Sequence, residues 1–118
     1  MDDKIDILLI EYRECLVITE NTNYNDKSSV KEHNNAVDRM RVIITDINKM
    51  GQSSIKYFAE LLDDPTASKW LAHQLVDIDT ISEELHTKCI SVIRKLAEED
   101  SVSGYGEKLW LESRGYKI

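Results

Sequence analysis

The side chains of this 118-residue chain best suited to acid–base catalysis or metal binding are three histidines, His33, His73 and His86. None of them lies in an HExxH pattern or at a metal-ligand spacing from the cysteines. His73 and Asp77 are one helical turn apart, so that the carboxylate could orient the imidazole. Pairs with this spacing are typically surface salt links of small energy, and we interpret all three histidines as structural.

Other patterns that carry chemistry are missing from the sequence. The serines lack a nucleophile elbow, and the four glycines lack a phosphate-binding spacing. The carboxylate groups at Asp63-Asp64 and Glu98-Glu99-Asp100 fall at expected helix junctions, where acids ordinarily face water. We therefore expect no cofactor, no bound metal and no enzymatic activity.

The charge balance indicates which partners the chain avoids. Asp and Glu number 22 against 15 Lys and Arg, for a formal net charge of -7. Such a surface repels nucleic acid and anionic membranes, whereas it attracts basic proteins. Solubility alone is the alternative explanation of the acidic charge. The N-terminus has no signal-peptide pattern and no run of about 18 apolar residues occurs, so a cytoplasmic location is expected.

Helical spacing of apolar residues recurs along the whole sequence and predicts an all-α fold of about six helices. We expect a first helix from Asp3 to about Glu20. A second is expected to start near Ser28 or Ser29, where Ser29 and Glu32 fit a capping box, and to close at Gly51. The third runs from about Ser53 to Leu62. The fourth helix is expected from Pro65, capped by Asp64, to about Val76. A Thr80–Glu83 capping box is expected to open the fifth. After a break at Gly104 and Gly106, the last helix is expected from about Gly106 to Ser113, closed by Gly115.

Cys15, Cys89, Trp70 and Trp110 fall on apolar helix stripes, which predicts that all four are core residues. No disulfide framework is implied by the cysteine spacing. At 118 residues, the chain is long enough to form one helical domain, residues 1–118.

Two segments after Gln52 have the same layout: an apolar helix, an acidic turn and a second apolar helix. The first contains Leu61-Leu62-Asp63-Asp64-Pro65 followed by Trp70-Leu71-Ala72, and the second contains Leu96-Ala97-Glu98-Glu99-Asp100 followed by Leu109-Trp110-Leu111. Both resemble HEAT-like repeats, which stack to bury their apolar faces. The resemblance implies two antiparallel helix pairs over residues 52–118, with residues 1–51 as a helical pair that caps one end.

In size and layout the chain resembles a family of small bacterial HEAT-like helical domains of unknown function, and it is similar to immunity proteins of contact-dependent or polymorphic toxin systems. The resemblance implies an inhibitor that binds a cognate, basic toxin domain such as a nuclease. The alternative is a small HEAT-like adaptor or regulator that binds a host protein. The stoichiometry and the oligomeric state are left open by the sequence.

The candidate partner-binding residues are acidic turns and aromatic side chains of the second half. Equivalent turns of stacked repeats share an edge, so we expect a negative ridge formed by Asp63, Asp64, Glu98, Glu99 and Asp100. Favourable solvation of helix ends is the alternative explanation of these acids. We expect Asp77 and Asp79 on the opposite edge. As the alternative to a buried Trp110, we consider an exposed aromatic group at the C-terminal end formed by Tyr105, Trp110 and Tyr116.

Overall fold

The computed structural model describes residues 3–78 and 80–116. Over these residues the chain forms six α-helices and no β-strand, so the predicted all-α class is confirmed. The helices are α1 (Asp3–Glu20), α2 (Lys27–Lys49), α3 (Gln52–Phe58), α4 (Pro65–Val76), α5 (Glu83–Ala97) and α6 (Val102–Ser113), with a 3₁₀ helix at Ala59–Asp63 between α3 and α4. None of the described helices has the length and apolar character needed to cross a bilayer.

The chain divides into two compact units, Met1–Phe58 and Ala59–Ile118. This division falls within the segment predicted as the third helix, from about Ser53 to Leu62. That segment is helical, but its α-helix gives way after Phe58 to the tighter 3₁₀ helix.

In the first unit, α1 packs against α2, and α3 packs against α2. Tyr12 and Phe58 are fully buried, with their rings in edge contact at 5.1 Å between centroids. Burial raises the pKa of the Tyr12 hydroxyl. An ion pair between Arg39 and Glu11 ties α2 to α1, with the Arg39 Nε donating to the carboxylate at 2.7 Å.

The outward side of α1 is also apolar, because Ile7, Ile10, Val17 and Ile18 are between 39% and 60% exposed.

In the second unit, α5 packs against both α4 and α6. Its core includes Leu71 and Leu75 of α4, Cys89 and Ile93 of α5, and Leu111 of α6. The expected burial of both cysteines is confirmed, and burial raises the pKa of the Cys89 thiol to about 11.

Several predicted helix ends are confirmed. Asp64 caps α4 by accepting from the Thr66 amide at 2.9 Å, and Pro65 occupies the first turn. Gly51 has a φ of +109° just after α2, as expected for the residue that ends a helix in the left-handed conformation. The bounds predicted for the first helix, Asp3 to Glu20, are also confirmed.

Two predicted helix caps, those of α2 and α5, and the predicted start of the last helix are wrong. Asp26 caps α2, whereas the Ser29 hydroxyl accepts a hydrogen bond from the amide of Asn23. Ser82, not Thr80, caps α5. Ser101 caps α6, so that Gly104 and Gly106 lie inside this helix rather than at a break. In each case the polar side chain directly before the first helical residue accepts a hydrogen bond from a free amide of the first turn.

Candidate protein-binding surface

The last helix, α6, presents two different faces. Gly104 and Leu111 lie on its buried side, while Val102, Tyr105 and Leu109 lie on the opposite side. These three side chains are 91%, 62% and 48% exposed, respectively. A surface helix ordinarily turns its apolar stripe to the core, so the outward placement of three apolar residues is unusual. We call Val102, Tyr105, Gly106 and Leu109 the outer face of α6.

A polar contact with α4 anchors the inner side of α6. His73 Nε2 lies 2.7 Å from a carboxylate oxygen of Glu107, and both side chains are largely shielded from water. The His73 ring also meets Trp110 edge-on, with 4.7 Å between centroids. The predicted link between His73 and Asp77 is therefore wrong, because each of these residues has its partner on or just after α6 rather than on its own helix.

Asp77, at the end of α4, pairs with Arg114 just after α6. The two guanidinium nitrogens of Arg114 donate to the two carboxylate oxygens at 2.7 and 3.4 Å. This hydrogen bond raises the pKa of the Arg114 guanidinium. The same group lies over the Trp110 ring, 4.8 Å from its centroid, in a cation–π arrangement. Asp77 is thus occupied within the chain.

Gly115 turns the chain back after α6 and places Tyr116 against Trp110. Its φ is +83°, and the amide of Tyr116 donates to the carbonyl of Leu111 at 2.9 Å, while the Gly115 amide donates to Glu112. Together these bonds form a Schellman motif, in which the residue after the glycine packs on the last turn. The rings of Trp110 and Tyr116 stack with an angle of 6° between their planes.

The predicted exposed aromatic group is therefore divided. Trp110 and Tyr116 are half-buried in a cluster with His73 and Arg114, and Tyr116 also approaches His86 at 3.4 Å between its hydroxyl and Nε2. Tyr105 lies five residues before Trp110, about 140° away around the helix. Of the three aromatic residues, only Tyr105 is on the outer face. Trp70, predicted as core, is likewise half-buried.

The acidic candidates fall into two classes. Asp63 forms an ion pair with Lys88 at 3.4 Å, and Asp64 is engaged as the α4 cap. By contrast, three consecutive carboxylates between α5 and α6 are exposed and form no ion pair with any described residue; they are Glu98, Glu99 and Asp100. We call these three the acidic junction. Asp79, the remaining candidate, lies outside the described residues.

The contacts at the ends of the helices show which candidates share an end of the second unit. Asp77 and Tyr116 are at the end where α4 and α6 finish and α5 begins. Asp64 and the acidic junction are at termini that point the other way: the start of α4 and α6 and the end of α5. The acidic junction therefore adjoins the Val102 end of the outer face.

Gly104 fixes the acidic junction against α6. A Cβ on this residue would overlap the carbonyl oxygen of Glu99 and lie 2.9 Å from its carbonyl carbon. Only glycine lets the first turn of α6 approach the junction backbone this closely. The Ser101 hydroxyl accepts from the Gly104 amide at 3.1 Å, which holds the same turn from the other side. The backbone that carries the three carboxylates is therefore held in place against the first turn of α6.

The outer face includes residues that sequence reasoning missed, Val102, Gly106 and Leu109. A signal for them was present, since Val102, Tyr105 and Leu109 are spaced at i, i+3 and i+7, which places them on one helical face. The predicted start of the last helix at Gly106 leaves Val102 and Tyr105 outside the helix, so the shared face does not show. Once Ser101 is recognised as the cap, the three residues fall within one helix.

Among residues 3–78 and 80–116, no group of three or more His, Cys, Asp or Glu side chains is arranged to hold a metal ion. Comparison with protein-family models, with curated proteins and with solved structures gave no match to this chain. At α6, exposed apolar side chains lie beside carboxylates that form no ion pair with a described residue, which makes this surface the candidate for protein binding.

Proposed function

We propose that this chain is a binding protein of the immunity type, which neutralises a basic toxin domain by covering it. The observation that carries the proposal is the acidic junction: Glu98, Glu99 and Asp100 are exposed, consecutive and in no ion pair with a described residue. The C-terminal carbonyls of α5 add partial negative charge at the same place. A lysine- or arginine-rich protein surface would relieve the repulsion among these three carboxylates. The net charge of -7 would also attract such a basic surface towards this chain.

The neighbouring outer face of α6 supplies apolar side chains that a partner could bury, which the acidic junction does not. Exposed carboxylates mainly accelerate association, whereas apolar side chains that become buried hold the complex together. Three exposed apolar residues beside three unpaired acids therefore form a surface with both properties. The polar cluster of His73, Asp77 and Arg114 is occupied by contacts within the chain, and we assign it the role of positioning α6.

A growth assay tests this proposal. The chain is co-expressed with each toxic domain encoded beside its gene, and the growth of the host is measured. Wild-type protein is expected to restore growth, and the combined change of Glu98→Lys, Glu99→Lys and Asp100→Lys is expected to abolish protection. A control protein carries the same charge change at exposed acids elsewhere, Glu14→Lys, Glu32→Lys and Glu60→Lys.

The control separates local from overall charge. Equal loss of protection in both triple variants would show that net charge matters and the junction does not. Binding to a neighbouring protein without any neutralisation would instead favour the adaptor function. Association rates of the purified pair, measured at low and high salt, should fall for the junction variant and lose most of their salt dependence.

A further inference from the structure

We infer that the outer face of α6 is a seam for an α-helix of the partner, which carries apolar side chains along its contact line and lysine or arginine at its rim. This inference deepens the proposed function and rests on it for the basic character of the partner. Its starting point is the spacing and exposure of Val102, Tyr105 and Leu109, which form one continuous apolar row on a helix whose other side is already buried.

Gly106 provides an independent indication. It lies within α6, where glycine disfavours the helix relative to alanine. No atom of residues 3–78 and 80–116 lies within 4 Å of the position where its Cβ would stand, and its φ is not positive. Nothing in the described part of the chain therefore requires glycine here. On the outer face it leaves a notch beside Tyr105, through which the backbone of another element can come close.

The geometry of this surface favours a helix as the occupant. The backbone groups of α6 are bonded within the helix, so the face offers no free edge to which a strand could add. Residues at i, i+3 and i+7 are the usual anchors when one helix packs on another. A glycine between such anchors interrupts the ridge of side chains and gives a groove that accepts the ridge of a crossing helix.

Charge restricts the chemistry of that helix. The acidic junction adjoins the Val102 end of the seam, and the exposed Glu112 lies one turn beyond Leu109. A helix with acidic side chains at its flanks would be repelled at both ends of the seam, whereas lysine or arginine at its flanks would lie beside carboxylates. We therefore specify an amphipathic helix with leucine or alanine on one face and lysine at both rims.

Designed peptides of about 20 residues serve as the probes, a length at which an isolated helix forms in part. One is amphipathic and basic, the second has the same composition in scrambled order, and the third is amphipathic with glutamate in place of lysine. Binding to the full-length protein is measured by fluorescence anisotropy, and the site is located by amide chemical-shift changes. The first peptide is expected to perturb Val102, Tyr105, Gly106 and Leu109.

Substitutions then test the seam. Leu109→Ser is expected to weaken binding of the basic amphipathic peptide at least about tenfold, and Gly106→Ala should weaken it comparably without lowering the melting temperature. Ile10→Ser is the matched control, since Ile10 is 58% exposed on α1 of the other unit. Equal affinities for all these proteins, or no binding at about 1 mM peptide, would overturn the inference.

The three peptides also separate this inference from the proposed function. If the glutamate peptide binds as tightly as the lysine peptide and still depends on Leu109 and Gly106, the seam stands but the basic partner is refuted. If the scrambled basic peptide binds as well as the ordered one, and only reversal of the acidic junction weakens it, the basic partner stands and the seam is refuted.

Discussion

Replacing Gly104 and Gly106 separately with alanine gives two variants that differ by two positions and are expected to change stability in opposite directions. Both residues lie inside α6, so alanine gains the same helix propensity at each, about 1 kcal/mol. Their surroundings differ completely. A Cβ at residue 106 meets open space, whereas a Cβ at residue 104 overlaps the carbonyl oxygen of Glu99.

The magnitude follows from what must move. The Glu99 carbonyl belongs to the backbone, so it cannot rotate away as the end of a flexible side chain would. Separating it from a new Cβ displaces the turn that carries the Ser101 cap, whose loss costs about 1 kcal/mol. Overpacking adds about 1–3 kcal/mol. Against the gain in propensity, Gly104→Ala should destabilise the fold by about 1–3 kcal/mol, while Gly106→Ala should stabilise it by about 0.5–1 kcal/mol.

Urea unfolding followed by far-ultraviolet circular dichroism measures both changes. The slope with denaturant should stay constant, so that the shift in midpoint reports stability directly. The two variants should differ by about 1.5–4 kcal/mol in free energy of unfolding. A Gly104→Ala protein as stable as the wild type would refute the close approach between α6 and the junction. A destabilised Gly106→Ala protein would show that residue 106 is enclosed within the chain.

Three more outcomes are expected. Trp70→Ala should cost about 1–2 kcal/mol in thermal unfolding, because Trp70 is half-buried, whereas Leu71→Ala, at a fully buried position, should cost about 2–5 kcal/mol; equal losses would contradict this ranking. Asp64→Lys should destabilise the fold by about 1 kcal/mol through loss of the α4 cap, and an unchanged melting temperature would show that the cap is dispensable. Burial raises the pKa of the Cys89 thiol from 9.0 to about 11, because it favours the neutral form. The contribution of this thiol to the free energy of unfolding should therefore be fully present below pH 9, and it should fall by roughly 2–3 kcal/mol as the pH rises towards 11. That fall, followed by circular dichroism, should be smaller in Cys89→Ala, and an identical fall would assign it to other groups.

The helix boundaries show where sequence was sufficient. Asp64-Pro65 predicted the start of α4 because a capping carboxylate and a residue without an amide both act locally. The start of α6 does not follow from the sequence, because Gly104 and Gly106 favour a helix break by their propensity. At Gly104 a tertiary contact with Glu99 outweighs the low helix propensity of glycine, and no sequence pattern reports such a contact.

The candidate residues show the same limit. Spacing along one helix suggested a pair between His73 and Asp77, yet the structure gives each a partner on or just after α6. Longer-range pairs depend on how helices pack, which residue spacing within one helix does not contain. The separation of Tyr105 from Trp110 was within reach of sequence reasoning, since a spacing of five residues places two side chains on different faces of a helix.

The order in which the helices pack has a consequence for how quickly the chain folds after synthesis. In each unit a helix packs against the next one in sequence: α1 with α2, α2 with α3, α4 with α5, and α5 with α6. Contacts between neighbours close short loops, so little chain entropy is lost before they form. Helical proteins with such local contacts fold in microseconds to milliseconds. Synthesis, at about 5–20 residues per second, is far slower, so the emergence of α6 from the ribosome rather than folding should set the time at which the proposed binding surface is complete.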